Sequence, residues 1–554
     1  MRVGHAVIMG SLAVGAVMPP ALAFTAGHAH QIGHWDKPFA EAACPADNAG
    51  CPPVPQALAA LGNGRVFYFQ GVEGGRRTSQ GGPEGSARLL DLGAGAAPRW
   101  SAPDTEGPAT LPCSDIAQLA DGRLLVAGGA SIDLATTLKG GTTRGASSSW
   151  ILDAAGTSLQ GAAPLRGDRR HSSLVTLADG TLLAAGGSTT SAPTGRTVPA
   201  VRTETFHPEA GRWTENYIGP ASESALPPLP QLFLMPNGKV FYGGAGHTDT
   251  PARGPAAALD GIQQLFDPDA STWQVTGPSP WGARRDATSV LLPLGPPYGR
   301  ATVLTFGGNS GTESSLMSLS TLATVDRAGV VQNELTGAMH RARSSADAVP
   351  LPDGTVLALG GTGVGAGPEE AAAELFVPGA YPETQMSALG RWYKMATPHH
   401  NRTRHHSAVL LADGRVLLGG HAPDGHGLSG LTGDRPDASF EIFTPPYLYR
   451  SHSRPTIRSA PEAIDWGRAF DVATPQALSI HSVMLMRLAS PQHSTDSDVR
   501  ALRLAFIRAS GRLKVAAPPD GAVAPPGYYY LFINQDTPKG PVPSVARIIR
   551  VGDS

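Results

Sequence analysis

One unit recurs along this chain and limits what it can fold into. A short apolar run reaches a tight pair such as Asn-Gly or Asp-Gly, and a second apolar run follows. The pairs are Asn63-Gly64, Asp121-Gly122, Asp179-Gly180, Asn237-Gly238, Tyr298-Gly299, Asp353-Gly354 and Asp413-Gly414. In all but the first unit the second run stops at paired glycines, ending at Gly129, Gly187, Gly244, Gly308, Gly361 and Gly420. The seven units are spaced by 55 to 61 residues, the range of radial and solenoid arrays. At 554 residues, the chain is too long for one ordinary compact domain unless it repeats in this way.

Each part of the unit has a physical reading. Asn-Gly or Asp-Gly supplies the positive φ of a tight hairpin. The aliphatic run after it reads as a strand buried on both faces. Paired glycines mark a place where neighbouring backbones come close. A polar-aromatic strand recurs further on, at Trp213, at Trp273 and around Pro98-Arg99-Trp100. One such sheet cannot bury both faces, whereas seven set radially can, and the ring protects most edges. The units resemble kelch repeats, which implies a seven-bladed kelch-type β-propeller over residues 55–445. Residues 24–54 look irregular. Beyond Phe440 to Pro446 the unit disappears, and alternating runs such as Val483 to Leu488 and Ala501 to Phe506 suggest a β-sandwich over residues 446–554. The expected fold class is all-β.

Composition narrows the function classes. With 43 Lys and Arg against 45 Asp and Glu, neither nucleic acid nor an anionic membrane is expected as the main partner. Gly and Pro make up about a fifth of the chain, and they fall between apolar runs as turns. Arg2, the apolar stretch from Ala6 to Met18, and Ala21-Leu22-Ala23 read as a signal peptide over residues 1–23. A periplasmic or secreted monomer with no later membrane span is therefore expected. In an oxidising compartment Cys44 and Cys51 are expected to form a local disulfide, leaving Cys113 unpaired.

The C-terminal motifs are the most specific. They are FEIFTPPYLYR (Phe440 to Arg450), QHSTDSDVR (Gln492 to Arg500), PPGYYYLF (Pro525 to Phe532) and VPSVARIIRV (Val542 to Val551). With the repeat, they resemble the galactose oxidase and glyoxal oxidase family of copper radical oxidases, over nearly the whole mature chain. The resemblance implies a propeller followed by an immunoglobulin-like early-set domain. It also implies one copper held by two histidines and two tyrosines, one tyrosine being joined to a cysteine by a thioether. Such a centre oxidises an alcohol or aldehyde and reduces oxygen to peroxide.

By the same resemblance His493 matches the histidine of the C-terminal domain, and Cys113, nine residues before Gly122, matches the cross-linking cysteine. His405, nine before Gly414, matches the propeller histidine; shifting by one residue brings in His406. The two tyrosine positions depart from the pattern. Nine residues before Gly180 stands His171, and before His405 stands Arg404. Tyr68 and Tyr242 read as core. The expected site is therefore His171, His405 and His493 with His406 or His400 near, suited to Cu(II) or Zn(II). No Tyr-Cys radical is expected. Arg404 beside it would bind an anionic substrate or a carboxylate. Cys113, His171 and Arg404 are the candidate catalytic groups, although each histidine also suits a packing role, and Cys113 a small buried one. His399, His400, His421 and His426 read as solvated. Three functions stay open: a copper-dependent oxidase of small-molecule or carbohydrate substrates, a carbohydrate- or surface-binding propeller without chemistry, and a protein-interaction scaffold.

Overall fold

The computed structural model describes residues 26–41, 53–69, 87–93, 97–105, 111, 113–131, 144–190, 197–246, 261–310, 315–363, 371–379, 390–421 and 437–552. The proposed signal peptide, Cys44, Cys51 and His426 lie outside them. Six turn glycines, Gly64, Gly122, Gly180, Gly238, Gly354 and Gly414, have φ between 81° and 90°, the left-handed conformation that favours glycine at hairpin tips. The Tyr298-Gly299 turn differs. There Tyr298 takes the positive φ of 59°, and its hydroxyl donates to the Arg503 carbonyl at 2.9 Å. This turn docks on the C-terminal domain instead of closing a short hairpin.

Each hairpin forms the two inner strands of an antiparallel sheet. The third sheet is typical, with strands Ser173–Thr176, Leu182–Ala185, Glu204–His207 and Arg212–Glu215 in that spatial order. Among the described residues seven sheets of four or five strands follow one another, with innermost strands Ala57–Ala60, Ser114–Gln118, Ser173–Thr176, Leu232–Leu234, Thr288–Leu291, Asp347–Pro350 and Ser407–Leu410. Polar bonds step from sheet to sheet. Gln118 donates to Ala60 O, the Leu174 amide to Asp115, Gln231 to Ala287 O, and Thr288 to Ala346 O. Ser407 donates to Gln56 O at 2.6 Å and so joins the seventh sheet to the first. The ring is closed.

Apolar clusters fill the gaps between sheets. Leu174, Leu182, Phe206 and Trp213 of the third sheet pack with Ala117, Leu125 and Ala127 of the second. Two outer-strand tryptophans stitch neighbouring sheets together: the Trp213 indole donates to Ser149 Oγ of the preceding sheet, and Trp392 to Ser320 Oγ of its own predecessor. Each fully buried Leu or Phe contributes about 1.5–3 kcal/mol. The paired glycines make room for the next sheet's leading loop. A Cβ on Gly128 would lie 2.7 Å from Arg169 O.

The N-terminal segment is not irregular throughout. His34–Trp35 pairs with Asp437–Thr444 as the outermost strand of the seventh sheet. Trp35 is buried against Phe443, with ring centroids 5.0 Å apart, and its indole donates to Ala396 O. The last sheet is thus built from both ends of the ring's chain.

The C-terminal region forms two sheets. One orders Ala463–Ile464, Arg547–Val551, Gly527–Gln535, Ile480–Arg487 and Ala501–Leu504, and the other Ala469–Ala473, Arg512–Ala516 and Phe506–Ala509. Their core is continuous with Phe233, Leu265, Leu291 and Val303 of the ring. Among the described residues, no helix is long and apolar enough to cross a membrane.

Candidate metal centre

In six of the seven sheets the loop that leads into the inner strand turns through a left-handed residue that is not glycine. These are Cys113 (φ 60°), His171 (58°), Leu229 (47°), Asp286 (53°), Ser345 (54°) and His405 (53°). They occupy equivalent corners of the second to seventh sheets. Neighbouring corners are tied through their backbones: the His171 amide donates to Cys113 O at 3.2 Å, Leu229 to His171 O at 2.6 Å, and Ser345 to Asp286 O at 2.7 Å. The sequence therefore builds a collar of inner-strand corners at one mouth of the ring, with Cys113, His171 and His405 among them.

The C-terminal domain sits at the other mouth. Tyr528 lies against the turn residues Gly62 and Gly122. From there the segment Arg487 to Arg500 runs into the ring. Ala60 N donates to Ala489 O and Leu58 N to Pro491 O, both at 3.0 Å. Asp498 accepts from the Thr176 amide and hydroxyl, Arg487 donates to Gln118 O, and Arg500 to Leu234 O. Ser494 donates to His406 O. A segment bonded to four inner strands around the ring, and to the loop leading into the seventh sheet's, lies on its axis. Gln492 and Thr495 exchange backbone bonds at its tip, and His493 (φ 47°) and Ser494 (φ 64°) between them both have positive φ. This is a two-residue hairpin of type I′ built without glycine. Such strain clusters at functional sites.

The tip brings His493 to the collar. One ligand atom each of Cys113, His171 and His493 lies within 4.8 Å of the others. The His493 ring centroid is 5.1 Å from that of His171 and 5.3 Å from that of His405. Cys113 and His171 are buried at 1% and 5% exposure, while His405 and His493 are half-buried. The cluster therefore has a closed floor and a more open rim. Gln56, fully buried, places its Nε2 2.8 Å from His493 Nε2, and its Oε1 has no hydrogen-bond partner among the described residues. The two amide atoms are interchangeable in shape. Turned over, Gln56 Oε1 accepts from His493 Nε2–H, and the lone pair is then on Nδ1. A ligating histidine is held in this way by a partner on its other nitrogen.

His406 does not join the cluster. It follows the left-handed corner, so its side chain leaves on the opposite side. It is fully buried with Nε2 3.3 Å from Asp347 Oδ2, packed on Gly360. Burial pushes its pKa down to about 3. It wedges the sixth and seventh sheets together. Arg404 is half-buried beside His405, with Nε donating to Thr362 Oγ1 at 3.5 Å. His399 and His400 are half-exposed but bonded to Glu441 and Asp437, and His421 is buried rather than solvated. Tyr68 and Tyr242 belong to apolar clusters between sheets. Below the tip two carboxylates stay protonated more readily than usual. Burial lifts Asp115 to about 8, and burial with the charge of Asp498 lifts Asp496 to about 7.

Residues 282–447 match the model of the glyoxal oxidase N-terminus, and residues 454–551 match the galactose oxidase-like early-set domain. Both segments are those of the galactose oxidase and glyoxal oxidase family. An aldehyde oxidase GLOX of Vitis pseudoreticulata is 35% identical over 224 residues, 38% of this chain and 41% of that one. A galactose oxidase of Gibberella zeae is 31% identical over 263 residues, 46% of this chain and 36% of that one. The chain thus spans about two fifths of the length of the curated relatives it matches. The family's fold is shared throughout. A solved fungal alcohol oxidase of the AA5 family, in complex with copper, superposes with a TM-score of 0.71 at 20% identity, covering 94% of this chain and 100% of that one.

Against the family's copper, the residues present fit in part. Three imidazoles and a thiol are a donor set for a soft or borderline transition metal. His171 and Arg404 are the residues expected from the sequence at the positions of the family's two tyrosines.

Proposed function

We propose that the protein is an exported, copper-dependent oxidoreductase that acts on an alcohol, aldehyde or carbohydrate group with oxygen as acceptor, and that it works without a Tyr-Cys radical. The convergence of Cys113, His171 and His493 at one mouth of the ring, with the His405 ring 5.3 Å from that of His493, supports this reading. Bound copper would supply one-electron redox chemistry, and His171 and His493 would hold it, with His405 beside them. Gln56 orients His493. Cys113 and His171 close the floor against water, and the half-buried rim at His405 leaves the mouth side for substrate. Arg404 on that rim suits an anionic group on the substrate through charge-assisted hydrogen bonds. The apolar stretch before Ala21-Leu22-Ala23 supports export.

The test is metal content and copper EPR on the purified protein beside His493→Ala, followed by a peroxide screen over alcohols, aldehydes and sugars. Near-stoichiometric copper with nitrogen hyperfine structure, lost in the variant, is expected. A wild-type protein that takes up no copper on reconstitution would sink the reading. The replacement of both family tyrosines favours a second reading, a carbohydrate-binding propeller without chemistry. Glycan binding that survives His493→Ala, with no peroxide from any substrate, would select it.

A further inference from the structure

We propose that Cys113 is itself a metal ligand, so that the centre is a thiolate–imidazole site formed by Cys113, His171 and His493, with His405 next to the remaining position. This rests on the metal reading of the same cluster but is not implied by it, because three histidines alone would hold copper or zinc.

Four observations carry it. Cys113 and His171 occupy equivalent corners of adjacent sheets, locked by the 3.2 Å backbone bond and by their positive φ. Their side chains are therefore aimed by the backbone of the ring and not by flexible loops. Second, sulfur and nitrogens lie within 4.8 Å of one another, close enough for small side-chain rotations to bring all three onto one ion. Third, Cys113 is 1% exposed. A thiolate there is costly alone and stable beside a cation. Fourth, the neighbouring corner is an imidazole and not a phenol, so the ring that would accept a tyrosyl thioether is missing from its position.

The chemistry of the set points the same way. Thiolate with imidazole selects copper or zinc over hard cations. Three protein ligands with one further position is the pattern of a catalytic rather than a structural centre. His405, half-buried and 5.3 Å from the His493 ring, borders that position. Binding forms a sulfur–metal bond and releases the thiol proton to solvent, and the oxidation state of the metal does not change.

Co(II) is the probe, since it reports sulfur ligation optically and does not oxidise thiols. The full-length protein is stripped of metal, titrated with Co(II), and followed for the near-ultraviolet sulfur-to-metal charge-transfer band and for proton release. The expected result is a band that saturates at one Co(II) per chain. In Cys113→Ser the band is lost and the affinity falls by more than the roughly 10–100-fold seen when only a supporting group is removed. The wild-type band does not depend on the variant folding, and circular dichroism of Cys113→Ser and Cys113→Ala checks their folds. Stoichiometric Co(II) without the charge-transfer band overturns the sulfur ligand and leaves the histidine site standing. No Co(II) or copper binding at all overturns both. An intact mass short by two hydrogens, with the Cys113 peptide joined to that of His171, also overturns it, because the sulfur is then a thioether.

Discussion

At the scale of single residues, the site is a use of strain that the ring already contains. Six corners adopt the left-handed conformation without glycine, at about 1–3 kcal/mol each. Leu229 and Ser345 do so with no metal-binding group, so the conformation belongs to the architecture, and Cys113, His171 and His405 borrow it. This is why counting nine residues back from a turn glycine located them in sequence: the inner hairpin has constant length. Counting fails at Asp286, where a longer hairpin carries the turn to Tyr298. The one-residue shift to His406 fails, because successive residues across the corner leave on opposite sides. Gln56 had no sequence signal at all, since its role depends on a tip 437 residues away. Its contribution is testable. Gln56→Leu removes the only hydrogen-bonding group of that side chain near His493 while keeping an apolar body of similar size. The expectation is a roughly 10–100-fold loss of metal affinity, with unchanged circular dichroism and altered imidazole hyperfine coupling. An affinity equal to wild type would show that His493 is oriented by its strained hairpin alone.

At the scale of elements, the turns and inner strands were readable because each is specified locally, by a glycine at a required φ and a run of aliphatic residues. The outermost strand of the seventh sheet was not. His34–Trp35 is two residues long and carries no turn or glycine pair; its place is set by a contact more than four hundred residues away, at Phe443. That strand closes the ring, and its anchor is the Trp35 side chain, 2% exposed, with its indole bonded to Ala396 O. Removing a fully packed tryptophan costs about 3–5 kcal/mol through lost burial and the cavity left behind. Trp35→Ala is therefore expected to lower unfolding free energy by that order in urea melts. A loss below about 1 kcal/mol would mean that the inner-strand bond from Ser407 to Gln56 closes the ring without help.

At the scale of the whole molecule, the two domains are joined by what each lends to the site. The ring supplies His171 and His405 from its collar, and the sandwich supplies His493 by sending a hairpin along the axis. That hairpin is held on the way by Arg487, Asp498 and Arg500 bonded to three different sheets. A metal on the cluster would therefore bind a geometry that exists only when both domains are folded and docked. Ligands that bind only the native state stabilise it by mass action, about 2.7 kcal/mol when the free metal is a hundredfold above its Kd. Because the candidate ligands come from both domains, that gain should appear in the unfolding of ring and sandwich together. Calorimetry of the metal-loaded protein is expected to give one transition, shifted upward. Chelation or His493→Ala should remove the shift. If metal instead raised the ring's transition alone and left a separate sandwich transition where it was, His493 would not be a ligand, and the axial hairpin would serve only to fill the channel.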